Sequence, residues 1–125
     1  MKYLYILLGG GIGSLCRFLL SSFINNISNK TFPFGTLTVN LLGCFLIGFL
    51  FSVFEKFIVS SNIRLFIFVG LLGGLTTFSS FGLETFNLLR QAEFKYAIFN
   101  LLLNNLVGIV FVLIGFKLSS VLFGD

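Results

Sequence analysis

Charge is what this 125-residue chain has least of: Asp and Glu number four, Lys and Arg eight, and together they make 10% of the residues. Soluble domains carry roughly 25%. With so few polar side chains no water-exposed surface can be covered, which excludes a water-soluble fold. Length excludes a large enzyme. Histidine and tryptophan are absent, proline and methionine occur once each, and cysteine occurs twice. Both cysteines, Cys16 and Cys44, lie inside apolar runs without a C-x-x-C or Cys/His partner, so they read as small packing residues and not as metal ligands. What is abundant is apolar: 57% of residues, nineteen of them phenylalanine, at a mean hydropathy of +1.09. That excludes disorder. The chain reads as a small, almost wholly membrane-embedded protein.

A helix needs about 20 apolar residues to cross the hydrocarbon core, so four helices use about 80. The apolar stretches are continuous and do not alternate, which excludes a β-barrel. The expectation is a single all-α transmembrane domain over 1–125, with spans near 3–23, 33–54, 64–89 and 96–118. The polar stretch Asn25, Asn26, Ser28, Asn29, Lys30 is expected to end the first span, and Pro33 to open the second. Lys2 is basic, but the apolar run after it has no A-x-A-like cleavage site, so it is expected to be the first span itself. No internal repeat long enough to imply two halves is present.

Basic residues in loops set orientation. With four spans, one side carries Lys2, Lys56, Arg64 and Lys117; the other carries Lys30, Arg90 and Lys95, with Arg17 as a borderline fourth. A bias this close to nil allows insertion both ways. Two opposed copies would then form the inverted symmetry that many transporters build by duplication. The alternative is that a single charge decides.

Polar groups inside lipid are costly, so each is a candidate functional group. Span one has Ser14 and Arg17; span two has Thr36, Thr38 and Asn40; span three has Thr76, Thr77, Ser79, Ser80 and Glu84; span four has Asn100, Asn104 and Asn105. Amides and hydroxyls donate hydrogen bonds to an anion without holding it by full charge, which suits a path an ion must both enter and leave. They equally serve as interhelical glue at about 0.6 kcal/mol each. Asn100 and Asn104 are four apart and share a helical face. Glu84 is the one carboxylate available for proton coupling, and stands close enough to the span's end to be interfacial. The segment Gly70 to Phe81 is poor continuous helix, with three glycines followed by Thr76 and Thr77. A break there frees backbone carbonyls that lipid cannot satisfy; alternatively, Gly70 and Gly74 form a G-x-x-x-G packing face. Phe78 and Phe81 stand on neighbouring positions of one face; alone such a pair means packing, but beside Ser79, Ser80 and a broken helix it can line a pore, with positive ring edges toward an anion. The glycines at 9, 10, 11 and 13 lack the register of a nucleotide loop and read as close helix contact.

Three blocks together resemble the Fluc (CrcB) fluoride channels: Gly10-Gly11-Ile12-Gly13-Ser14-Leu15-Cys16-Arg17-Phe18, then Phe34 through Gly43, then Gly70 through Phe81. They stand in that family's order and span nearly the whole chain. The resemblance implies four transmembrane helices with a broken third, assembled as a dual-topology antiparallel homodimer in the cell membrane, with two fluoride pores and a central structural sodium ion. It implies Asn40, Phe78 and Phe81 in the pore with Ser79 and Ser80 beside them, Arg17 in an electropositive vestibule, and sodium held by backbone carbonyls of Gly73 and Thr76. On span four, Asn100, Asn104 and Gly108 stand where the family has tyrosine and serine hydroxyls, and Gly82 where many members have serine. The function implied is passive fluoride export, with neither catalysis nor a nucleic-acid partner. The competing reading is a proton-coupled exporter of organic cations like the small multidrug resistance transporters, but these use a carboxylate in the first helix, where this chain has none.

Overall fold

The computed structural model describes residues 1–28 and 30–124; Asn29, part of the polar stretch above, lies outside them. Among the described residues, four helices are long and apolar enough to cross a membrane: Lys2–Ile27, Phe34–Lys56, Ser61–Arg90 and Phe94–Phe123. They are called here the first to fourth helices.

The boundaries exceed the expected spans where polar residues still favour helix. The first helix continues through Asn25 and Asn26 to Ile27. Its 26 residues reach about 39 Å, longer than the hydrocarbon core of about 30 Å. Asn25 does not stop the helix because its amide has a partner outside it: Oδ1 accepts from the Gly35 N–H at 2.9 Å, fastening the end of the first helix to the start of the second. Pro33 is the residue before Phe34, where the second helix begins. The third starts at Ser61, three residues ahead of Arg64, because the Ser60 hydroxyl accepts from the Ile63 N–H. It ends in a tight reversal. Ala92 takes a left-handed φ of 57°, and the Glu93 N–H reaches back to the Leu88 carbonyl at 2.8 Å. Those bonds cap the last turn and return the chain as the fourth helix within three residues.

Close pairing through glycine sets the arrangement. The first helix packs along the third, and the second along the fourth. A Cβ on Gly9 would strike the Phe66 carbonyl, and one on Gly13 the Leu71 carbonyl. From the other side, a Cβ on Gly70 or Gly74 would meet the Ile6 or Gly10 carbonyl. The G-x-x-x-G face at Gly70 and Gly74 is thus spent within the chain, on the first helix. Gly11 faces open space. Gly48 and Gly115 do the same work between the second and fourth helices. Van der Waals packing through small residues is what drives association where lipid removes the hydrophobic term. The contiguous buried apolar cluster is correspondingly small: Val39, Leu72 and Leu75, with Leu46, Ile67 and Phe68 among the residues packed against it.

Candidate functional site: the interruption of the third helix

Helical geometry fails at two residues of the third helix. Thr76 has φ −89° and ψ 159°, and Thr77 has φ −149° and ψ 123°, both extended. The helix stops at Leu75 and resumes at Phe78. The residues around it explain why this survives in a membrane. The Thr77 N–H, which in a continuous helix would bond the Gly73 carbonyl, donates to Asn40 Oδ1 at 2.8 Å. The Thr77 carbonyl accepts from Asn40 Nδ2 at 3.1 Å. One side-chain amide on the second helix therefore satisfies both polar groups of one extended residue. Arg17 Nη1 donates to the Thr76 carbonyl at 3.4 Å. The Thr77 hydroxyl accepts from the Ser80 N–H at 3.2 Å, capping the resumed helix. Gly43 leaves the room: a Cβ there would overlap the Thr76 methyl.

Three cavities run beside the third helix. A surface cleft of about 320 Å³ lies against Asn40, Gly73, Thr76, Thr77, Phe78, Phe81 and Asn104. A polar cavity of about 280 Å³ is lined by Ser14, Arg17, Thr36, Thr77, Ser80 and Glu84. A third, of about 360 Å³, holds Lys30, Glu84 and Gln91 near the helix ends. Thr77 borders the first two, and Glu84 the second and third. Thr77 of the interrupted segment thus lines both the mostly apolar cleft and the polar cavity.

The expected residues divide across this layout. Phe78 and Phe81 are brought together, ring centroids 5.4 Å apart and planes at 57°. Their surroundings differ: Phe78 is 79% exposed on the single chain and Phe81 4%. Ser80 lines the polar cavity, whereas Ser79 is exposed and borders none of the three. Arg17 lies in the polar cavity, reaching the interruption from the first helix. Glu84 accepts from the Thr36 hydroxyl at 2.7 Å through one oxygen. Its other oxygen is buried with no hydrogen-bond partner among the described residues. Asn104 borders the cleft, while Asn100 is fully buried and lines none of the three. Asn104 Nδ2 donates to Asn100 Oδ1 and to the Asn100 carbonyl, both at 2.9 Å. Gly73 is exposed at the cleft, beside half-buried Thr76.

Thr77 and Thr85 carry more of the site than the sequence disclosed. Thr77 stands three residues before Ser80, at an N-cap spacing that becomes readable once the helix is known to restart. Thr85 lies four residues after Phe81, and its hydroxyl donates to the Phe81 carbonyl at 2.8 Å. That back-bond is common for threonine in helices and marks nothing by itself.

The family model described as CrcB-like protein, Camphor Resistance (CrcB), matches residues 4–116. This chain belongs to the CrcB-like family. Among its CrcB-like relatives, the protein named fluoride-specific ion channel FluC from Parabacteroides distasonis is 45% identical over 120 residues, covering 96% of this chain and 94% of the relative. The one of the same name from Desulforapulum autotrophicum is 43% identical over 122 residues, covering 97% and 98%. That from Pyrococcus abyssi is 44% identical over 117 residues, covering 93% and 94%. The match is thus to nearly the whole length of these proteins and not to a shared fragment.

Proposed function

We propose that this chain conducts fluoride passively through the cell membrane and so lowers its concentration in the cytoplasm. The observation that carries the reading is the interrupted third helix, whose extended Thr77 lines both a polar cavity and a cleft bearing two adjoining phenylalanine rings. Fluoride is small, strongly hydrated and a strong hydrogen-bond acceptor. Hydroxyls and an arginine can draw it into the polar cavity, and ring edges can receive it where full charge would trap it. A negative cell interior drives an anion outward by about 2.3 kcal/mol per 100 mV, so no carboxylate-based coupling is needed. The relatives' names favour this reading over the multidrug one, which also lacks its first-helix carboxylate. Growth tests it. Expression in a cell stripped of its own fluoride exporter should restore growth at a fluoride level that stops the parent strain. Protection against organic cations without protection against fluoride would favour the other class.

The same reading includes an antiparallel homodimer. A single chain leaves Phe78 and the apolar cleft beside Gly73 uncovered, and a second copy in the opposite orientation would cover them. It also includes a structural sodium ion between the copies. The donor set fits a hard cation: with the Thr77 N–H given to Asn40, the Gly73 carbonyl has lost its helical donor, and the Thr76 carbonyl keeps a second lone pair beyond its long bond to Arg17. Two carbonyls from each chain would hold the ion, and the ion would link the subunits by mass action.

Dual orientation has its own test. Ile58 sits in the loop after the second helix at 107% exposure. Ile58→Cys, on a background with Cys16 and Cys44 replaced by alanine, should be labelled by an impermeant reagent from both faces of the membrane in separate subpopulations. Labelling from one face alone would defeat the antiparallel pair and the shared sodium site.

The rings have a test too. Phe78→Ile removes a ring already exposed on the chain, so folding cost is small and fluoride flux should drop several-fold, in line with about 0.5–1.5 kcal/mol for an aromatic contact. Phe81→Ile should lower flux and also cost stability, because that ring is buried. Wild-type flux in Phe78→Ile would remove the ring from the path.

A further inference from the structure

A continuous line of hydrogen bonds crosses three helices beside the interruption. Asn40 Nδ2 donates to Asn104 Oδ1 at 2.8 Å, and Asn104 Nδ2 to Asn100 Oδ1 at 2.9 Å. Asn100 Nδ2 then donates to the Thr85 hydroxyl at 2.9 Å, and that hydroxyl to the Phe81 carbonyl at 2.8 Å. The direction is fixed at both ends by backbone. The Thr77 N–H can only donate, so Asn40 presents its oxygen there and its nitrogen onward. The Phe81 carbonyl can only accept, so Thr85 must donate to it and accept from Asn100. Both ends lie on one stretch of the third helix, four residues apart. The line therefore closes a ring around the turn that carries Phe78 and Phe81.

Two members of this ring stand apart from the three cavities beside the third helix. Asn100 is 0% exposed and Thr85 8%, and neither lines any of the three. Asn40, meanwhile, has committed both amide hydrogens, one to the Thr77 carbonyl and one to Asn104. We infer that Asn104, Asn100 and Thr85 are positioning residues, a one-way relay that locks the Asn40 amide against Thr77 and thereby holds the Phe78–Phe81 turn in its conducting place. Thr77 itself sets which way the Asn40 amide points, and the Asn100 carbonyl does so for Asn104; the relay acts by holding those side chains in place, each buried amide staying satisfied only while the next partner does. Removing the Thr85 hydroxyl leaves the Asn100 N–H2 without its acceptor, and the shift of Asn100 and Asn104 that follows loosens Asn40 on Thr77.

The flux part of this inference rests on the fluoride reading; its exchange part does not. Thr85→Val removes only the hydroxyl, at a buried position that lines none of the three cavities, and Thr85→Ser restores it. In the full-length protein reconstituted in lipid nanodiscs, Thr85→Val should speed hydrogen exchange of the Thr77 amide by about tenfold or more, as expected for losing one buried partner. It should also lower fluoride efflux several-fold, while Thr85→Ser stays near wild type in both. Adding Thr85→Val to Asn104→Leu should change little beyond Asn104→Leu alone, since the relay is already cut. Unchanged Thr77 exchange in Thr85→Val would overturn the relay. Faster exchange with intact flux would overturn its role in conduction. If the wild type carries no fluoride, the functional reading fails, and Thr77 exchange alone decides whether the relay exists.

Discussion

Asn40→Asp is expected to cut fluoride flux about a hundredfold or more and to reduce the yield of folded protein with it. The side chain's volume barely changes, so the effect is one of hydrogen-bond sense. Asn40 Nδ2 faces two acceptors, the Thr77 carbonyl at 3.1 Å and Asn104 Oδ1 at 2.8 Å. A carboxylate oxygen in its place has nothing to donate and meets both lone pairs head-on. Each buried group left unsatisfied costs about 1–3 kcal/mol, so the two together reach roughly 2–6 kcal/mol. The Thr77 N–H keeps its acceptor, but the other half of the clamp is lost and a negative charge now stands beside the proposed anion path. Efflux from reconstituted vesicles measures this directly. Flux near wild type would show that the amide neither holds the interruption nor stands on the path.

Gly13→Val should destroy the fold outright, while Gly11→Ala, two positions away, should leave it unchanged or slightly firmer. At Gly13 the first helix lies so close to the third that a Cβ would overlap the Leu71 carbonyl, and valine adds two further carbons to it. The obstacle is backbone, not a flexible side-chain end, so the helices must separate along the seam through Gly9, Gly13, Gly70 and Gly74. Overpacking commonly costs about 1–3 kcal/mol where side chains can yield, and more where they cannot. At Gly11 nothing lies within 4 Å, and alanine gains about 0.5–1 kcal/mol of helix propensity over glycine. Gel filtration in mild detergent separates the two outcomes: a discrete peak for Gly11→Ala and aggregate for Gly13→Val. Equal elution would mean that the seam is looser than its geometry.

Hydropathy alone located the four spans, because continuous apolar runs of this length have few other fates. Their ends were less legible. The amide of Asn25 reads as water-facing in sequence, yet it bonds Gly35 on the next helix, a partner known only once the two helices lie side by side. Gly70 to Phe81 admits two readings in sequence, a packing face and a break. Gly70 and Gly74 pack on the first helix, and Thr76 and Thr77 are extended. The pairing of Phe78 with Phe81 followed from their spacing, but their unequal exposure did not, since that depends on where the interruption sets the helix down. Ser79 sits between them in sequence and lines none of the three cavities. The asparagines are the least legible in sequence. Asn100 and Asn104 share a face by spacing alone, but nothing in that spacing shows that they spend their amides on each other, on Asn40 and on Thr85. Thr85 itself looks like any threonine bonded back to its own helix.

Fluoride release from vesicles tests the central reading most directly. Purified protein is reconstituted in liposomes loaded with potassium fluoride, a potassium ionophore is added to relieve the charge, and a fluoride electrode records the efflux. Fast release that tracks the number of protein-containing vesicles is expected, with little release of chloride from vesicles loaded with potassium chloride. Fluoride retained at the protein-free rate, or chloride released as fast as fluoride, would contradict it.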